Sequence, residues 1–223
     1  VFGDWSSDVC SSDLVDDNLN LLKAVELTLT GGYDMNPVVD ALSGAAGKVT
    51  LDGADTGSPE TFDKWEKFWQ AYAAQTRQII KMSVDLYEKS ESIRARFFQT
   101  PYLSCLVRGC AASGKDINQG GPELNFVTIE GVTYATTVDS LLAVKYLVYD
   151  EKICTIKELV SALRDNWVGH EKLQAIALNK APKYGRDDED ADKMGRQVME
   201  LWTEETWKHK TLSTNRQFRP GML

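Results

Sequence analysis

The residues of this 223-residue chain whose types could do chemistry are two histidines, four cysteines and a few glycine-flanked polar runs. Cys10, Cys105, Cys110 and Cys154 form no Cys-x-x-Cys pair, and His170 and His209 join no His-x-x-x-His or Cys/His cluster. A zinc site is not expected, because tetrahedral zinc takes its nitrogen and sulfur ligands at close, characteristic spacings. Ala112-Ser113-Gly114-Lys115 ends like a phosphate loop, but its first glycine is misplaced and no strand runs through it into a helix. Asp187 to Asp192 gathers carboxylates without the glycine and terminal glutamate of a calcium loop. That run reads instead as a helix start, where negative charge complements the helix dipole. Gly-x-Ser-x-Gly is absent. No catalytic, cofactor-binding or metal-ligating residue is assigned in this chain.

The elements that carry these residues follow from apolar spacing. Leu21, Leu22, Val25 and Leu29 recur at three- and four-residue intervals and predict a helix over Asn18 to Thr30, stopped by Gly31-Gly32. A loop rich in Gly, Ala, Asp and Asn, with one short strand, is expected up to Ser58. Pro59 is expected to start a long helix reaching about Phe98, with Ser58 or Thr61 as cap. Its stripe of Phe62, Trp65, Phe68, Trp69, Tyr72, Ile79 and Ile80 reads as core rather than a binding platform, because it follows one helix face. Pro101 ends that helix, and Tyr102 to Val107 is a short apolar run leading to Gly109-Cys110. Phe126 to Ile129 reads as a buried strand, then Thr137 to Asp150, Thr155 to Trp167 and Glu171 to Asn179 as helices. Thr155 and Glu158 make a capping box. The last helix opens at Asp187 to Asp192 and turns Met194, Val198, Leu201 and Trp202 inward. The fold class expected is predominantly α with few short strands, and residues 59 to 223 are expected to pack as one body.

With 43% apolar residues the chain can bury a sizeable core. A net charge of −8 argues against nucleic acid or an anionic membrane surface as partner. No apolar run approaches the roughly 20 residues that span a bilayer, and no secretory signal is seen. Few cysteines and no disulfide pattern point to a cytoplasmic location. Asp4 to Leu14 reads as the one-frame translation of a common sequencing adapter, so residues 1–14 are taken as a non-native tail and Cys10 as no nucleophile.

Gly114-Lys115-Asp116-Ile117-Asn118-Gln119-Gly120-Gly121, Val138-Asp139-Ser140-Leu141-Leu142-Ala143-Val144-Lys145 and Ala181-Pro182-Lys183-Tyr184-Gly185-Arg186-Asp187-Asp188 together resemble the glycyl radical enzymes, the pyruvate formate-lyase-like family. Asn20 to Leu29 followed by Gly31-Gly32 extends the likeness, which covers essentially everything after the tail. The resemblance implies that residues 15–223 are an internal segment of the ten-stranded α/β barrel, cut at both ends. It also implies that the thiyl cysteine and the glycyl radical glycine lie outside the chain. Cys110 follows Gly109, as in the Gly-Cys-x-Glu thiyl loop, but Ala111-Ala112-Ser113 places no glutamate beside it, so it reads as structural. Trp167-Val168-Gly169-His170 echoes the glycyl loop but lacks its arginine and reads as a helix joint.

Asn125 to Gly131, Thr136 to Ser140 and Gln217 to Leu223 look most like the arylacetate decarboxylases, of the type that turns 4-hydroxyphenylacetate into p-cresol and carbon dioxide. Another glycyl radical lyase, such as a glycerol or diol dehydratase or choline lyase, is the alternative. A helical interaction module without chemistry is the reading from a different class. For the full-length protein the resemblance implies a carbon–carbon lyase with a small aromatic acid substrate and a homo-oligomeric assembly in an anaerobic host. It implies a glycyl radical installed by an S-adenosylmethionine-dependent iron–sulfur activating enzyme as partner, and leaves open a small iron–sulfur subunit. The isolated segment is expected to bind no cofactor and to be inactive.

Overall fold

The computed structural model describes residues 17–34, 51 and 53–222; the tail of residues 1–14, with Cys10, and most of the expected loop before Ser58 lie outside them. Among the described residues three short strands and eight α-helices follow in the order β1 (Asp17–Asn20), α1 (Leu21–Thr30), α2 (Trp65–Phe97), α3 (Pro101–Leu106), α4 (Cys110–Ser113), β2 (Phe126–Val132), α5 (Tyr134–Val144), α6 (Ile156–Arg164), α7 (Glu171–Asn179), α8 (Glu189–Thr206) and β3 (Gln217–Met222). The chain is thus mainly helical with few short strands, as its spacing predicts.

The strands make one parallel sheet in the order β1-β2-β3. Ile129 lies opposite Asp17 on one side and Pro220 on the other, while Glu130 faces Asn18 and Gly221 in register. Parallel neighbours need long crossovers, which the helices supply. Two strands differ from the sequence reading: β3 falls where no strand was expected, and β1 where a helix was. Asn18–Asn20 is strand rather than helix, because its backbone pairs with β2 before the helix begins. Asn20 then caps α1, its Oδ1 accepting from Leu22 N at 3.0 Å. At the other end Gly31 is left-handed (φ 70°), and a Cβ there would lie 2.7 Å from Gly57 O, so only glycine ends the helix at this contact.

The long helix also starts later than Pro59. Pro59–Thr61 makes one 3₁₀ turn, and the chain then leaves helical geometry at Phe62 (φ −83°, ψ 77°). That departure drops the Phe62 ring edge-on against Phe68 at 6.3 Å, where Tyr149 OH donates to Phe62 O at 3.1 Å. Phe68, Tyr72 and Ile80 are buried as the stripe demands, with Trp65, Trp69 and Ile79 packed beside them. Gln75, fully buried, copies a strand neighbour: Oε1 accepts from Ala54 N and Nε2 donates to Ala54 O, both at 2.8 Å. The run to Asp150 stays helical but relaxes into a π-helical turn over Lys145–Asp150. Thr155 and Glu158 form the expected capping box. Asp188 caps α8 within the acidic run, and Gly169 (φ 79°) sits between α6 and α7.

Two apolar clusters result. One joins α1, α2, α5 and α6 to α8 around Leu22, Phe68, Leu141 and Val198. The other packs the helix-facing side of the sheet (Leu19, Val127, Ile129 and Phe218) on Ile80, Tyr87 and Trp202 of α2 and α8. Gly131 belongs to that side, since a Cβ would lie 3.1 Å from both Leu21 Cδ1 and Trp202 Cε2.

Candidate functional site

Strand alternation decides where chemistry can sit. With Val127, Ile129 and Gly131 turned to the helices, Phe126, Thr128 and Glu130 of β2 must share the opposite face with Arg219 and Gly221 of β3. This second face carries no helix of its own among the described residues. Arg219 Nη2 donates to Thr128 Oγ1 at 3.0 Å, and its guanidinium lies 5.2 Å from the centre of the Phe126 ring. No carboxylate lies within ion-pair distance of Arg219 among the described residues. Glu130 rests on the space left by Gly221, because a Cβ there would collide with its Oε1. Glu130 Oε2 is buried and has no hydrogen-bond partner among the described residues. An unpartnered carboxylate oxygen costs desolvation that only a donor can offset. At the strand ends, Thr133 Oγ1 donates to Asn20 Oδ1 at 2.8 Å and fixes the exit of β2 against that of β1.

The face is held in register from behind. Glu91 of α2 is 2% exposed and receives Arg216 Nη1 at 2.9 Å, Ser213 Oγ at 2.5 Å and Thr214 Oγ1 at 3.1 Å. Arg216 also donates to Tyr87 OH at 2.8 Å and to the Phe126 carbonyl. One guanidinium thus ties the start of β2 and the entry to β3 to the same helix.

The residues singled out from sequence fall elsewhere. Cys110 is buried under Gly121, and burial, reinforced by the Asp116 charge, pushes its thiol above the usual range, so it is no ready thiolate. Burial likewise lifts the Cys154 thiol to about 11. Gly114 to Gly121 is not a phosphate cradle but the C-terminal clasp of α2. Asn118 Nδ2 donates to Phe98 O at 2.8 Å, and Gln119 Nε2 donates to Ala95 O at 3.0 Å. Asp116 anchors the clasp through Thr100 N, Ser104 Oγ and Asn118 N. Burial would raise its carboxyl, but those donors outweigh it and hold it below the ordinary value. His170 and His209 sit apart, 3.9 Å from Asp165 and 3.6 Å from Glu205.

A cavity of about 730 Å³ opens between α1, α5, α6 and α7, lined by Leu22, Val25, Leu29, Leu159, Leu163 and Lys183. Burial pushes the Lys183 ammonium down, and its Nζ donates to Ala177 O at 2.9 Å. Asp139, at the same wall, accepts from Tyr184 N at 2.8 Å. These contacts stitch two of the sequence runs together and spend their polar groups on the fold. The sheet face, where a carboxylate oxygen without a partner and a guanidinium lie on adjacent strands, is the better candidate. Sequence reasoning passed over both residues, although a lone acid inside the apolar run Phe126–Val132 was the signal for one of them.

Comparison with known proteins gives this geometry a setting. The family described as pyruvate formate lyase-like matches residues 14–223. Trans-4-hydroxy-L-proline dehydratase of Clostridioides difficile is 33% identical over 205 residues, covering 92% of this chain and 24% of that protein. (2S)-3-sulfopropanediol dehydratase of Klebsiella oxytoca is 32% identical over 92% of this chain and 23% of its own length. The 4-hydroxyphenylacetate decarboxylase glycyl radical subunit of Clostridium scatologenes is 24% identical, over 79% of this chain and 21% of that protein. Among solved structures, the hydroxyproline dehydratase with its substrate bound superposes with a TM-score of 0.82 at 32% identity, covering 92% of this chain and 25% of that one. The B12-independent glycerol dehydratase of Clostridium butyricum in its glycerol-bound form gives 0.80 at 30% identity, covering 91% and 24%. The chain therefore spans about a quarter of the length of the relatives it matches.

Proposed function

We infer a function from one premise, that this chain belongs to the pyruvate formate lyase-like family of glycyl radical enzymes. The reading it favours is a lyase of the dehydratase type, acting on a small hydroxylated substrate, in which this segment supplies part of the barrel wall. The carrying observation is the likeness, at about one-third identity over nine-tenths of the chain, to two dehydratases of hydroxylated molecules. The arylacetate decarboxylase expected from Asn125 to Gly131 and Gln217 to Leu223 gives way, because the decarboxylase subunit is only 24% identical. Those runs lie on β2 and β3 and their flanks. The alternative of a helical interaction module without chemistry finds less support in a chain of this family.

The proposed radical chemistry needs a glycine and a cysteine that we place outside the described residues, and an activating enzyme that uses S-adenosylmethionine and an iron–sulfur cluster. The radical supplies hydrogen-atom abstraction. This chain's own residues position substrate and keep water out, which is what a rigid wall of parallel strands contributes.

The test is anaerobic turnover by the full-length protein, activated and offered trans-4-hydroxy-L-proline, glycerol, propane-1,2-diol and 4-hydroxyphenylacetate. Loss of water from a hydroxylated substrate is the expected result. Release of carbon dioxide with p-cresol would restore the decarboxylase, and no turnover of any of the four would remove the dehydratase reading.

A further inference from the structure

We propose that the cavity between α1, α5, α6 and α7 is a binding site for one small uncharged apolar molecule, of the size of a fused-ring arene. This goes beyond the lyase reading and does not depend on it. The site is built from helices and their connections, with no strand residue in its lining. Leu22, Val25 and Leu29 recur along one stripe of α1, and they share a space of about 730 Å³ with Val144 of α5 and with Leu159 and Leu163 of α6. Packed interiors seldom hold a void larger than a water molecule, and side chains around one forfeit dispersion contacts that a ligand restores. An apolar void of about 150 Å³ already admits benzene, so this one has room for a larger molecule. Its volume lies within the range of small-molecule pockets.

The polar groups of the lining decide the ligand's charge. Glu26, Asp139, Arg164 and Lys183 bring two charges of each sign to the cavity. The fold engages three of them: Glu26 meets Lys23 at 2.9 Å, Asp139 accepts from Tyr184 N at 2.8 Å, and Lys183 donates to Ala177 O at 2.9 Å. Burial pushes the Lys183 ammonium down, so this wall already disfavours charge. A ligand of either sign would meet like charge as well as opposite charge, and would lose its hydration on entry. An uncharged apolar body avoids that cost and gains from the area it buries.

Part of the wall is held under strain. Asn166 (φ 48°) and Trp167 (φ 66°) follow one another in the left-handed region, which a bulky residue rarely adopts, and both line the cavity. Hydrogen bonds to the end of α6 hold this turn, from Trp167 N to Ala162 O at 2.7 Å and from Asn166 N to Leu163 O at 3.1 Å. Glycine at 167 would serve the turn without that cost. Tryptophan instead brings an indole to the cavity wall, a flat surface against which an arene can stack. Strain kept at a bulky residue in a concave wall is a mark of binding function.

Fluorescence titration of the full-length protein with the neutral dye N-phenyl-1-naphthylamine tests this. Naphthalene, 1-naphthoate and 1-naphthylmethylammonium serve as competitors that share a ring system and differ in charge. A single saturable site is expected, from which naphthalene displaces the dye and both charged competitors do so about tenfold less well. Ala143→Phe fills the cavity from α5 and should weaken dye binding about tenfold or more with no fall in melting temperature. Trp167→Gly removes the indole and relieves the strain, so it should weaken binding about tenfold while melting stays within a few degrees. Val168→Ala, at a neighbouring position that is 74% exposed, should bind as wild type. The two cavity variants act from different elements, so either one that folds decides the matter. Absence of saturable dye binding would overturn the site, including the case in which the rest of the full-length chain fills the cavity. Tighter binding of either charged competitor would overturn the uncharged ligand, and wild-type affinity in Ala143→Phe or Trp167→Gly would overturn the location.

Discussion

Replacing Glu91 by Met removes the carboxylate that Arg216 Nη1 meets at 2.9 Å, at a position where the Arg216 side chain is only 15% exposed. Breaking a buried pair by removing one partner costs about 3–5 kcal/mol. Here the lower end applies: Arg216 keeps Tyr87 OH at 2.8 Å and the Phe126 carbonyl. Ser213 and Thr214 are close enough to solvent to replace Glu91 with water. A loss of about 3 kcal/mol corresponds to roughly a hundredfold faster local opening at about 1.4 kcal/mol per decade. Hydrogen exchange read by mass spectrometry on the peptide covering residues 207–222 of the full-length protein measures it. The segment is clamped at Leu212 N and Ser213 N by Glu88, at 2.8 and 3.0 Å, so protection should fall there while the centre of α5 keeps its own. The double variant Glu91→Met with Arg216→Met removes both charges and should regain most of the protection. A change below about threefold in the single variant, or equal loss in the double, would refute the idea that the ion pair holds the entry to β3.

Four further outcomes follow from the same contacts. Gly221→Ala places a Cβ where Glu130 Oε1 lies, so it should swing that carboxylate aside and lower substrate affinity with little change in melting temperature; a wild-type affinity would mean that the seat is irrelevant. Phe218→Ala empties a fully buried position edge-on to Tyr87 and should cost about 3–5 kcal/mol, seen as lost protection across β2 and β3. The Asp116 carboxyl is held below its ordinary value when folded, so its stabilisation of the 114–121 clasp is complete above the unfolded pKa of about 3.9 and disappears as pH falls through the lower folded value. Exchange in that peptide should accordingly be flat from neutral pH to about pH 5, after correction for the intrinsic rate, and should rise only in the acid limb. Cys105 is exposed and Cys110 buried with a raised thiol, so iodoacetamide at neutral pH should label Cys105 and reach Cys110 only after unfolding.

What the sequence revealed and what it hid separate along a physical line. Thr155 with Glu158, the acidic opening of α8 and the Phe68-Tyr72-Ile80 stripe are local signals, set within one or two turns of chain, and each appears in the structure. β1 and β3 are not local. Asn18-Leu19-Asn20 has one apolar residue and runs without a break into a helical pattern; only pairing with residues more than a hundred positions later makes it a strand. β3 holds Pro220 and Gly221, residues that argue against a strand when read alone. Pro220 nonetheless lies opposite Ile129 in the register, and Gly221 leaves the space that the Glu130 carboxylate fills.

The same line explains the site. Each of its two points looks ordinary in its own run, Glu130 as the end of a strand and Arg219 as one charge in a polar stretch. Their meaning comes from a parallel register that sets residue 130 beside residue 221 and residue 128 beside residue 219. A site built across strands 91 residues apart leaves no spacing to find in the sequence. The trace it leaves is a violation of local rules on each strand, an acid in an apolar run and a glycine after proline in a strand. Both violations fall at one contact, between Glu130 and Gly221, and that coincidence, which the apolar cavity lacks, is what singles out the sheet face as the candidate site.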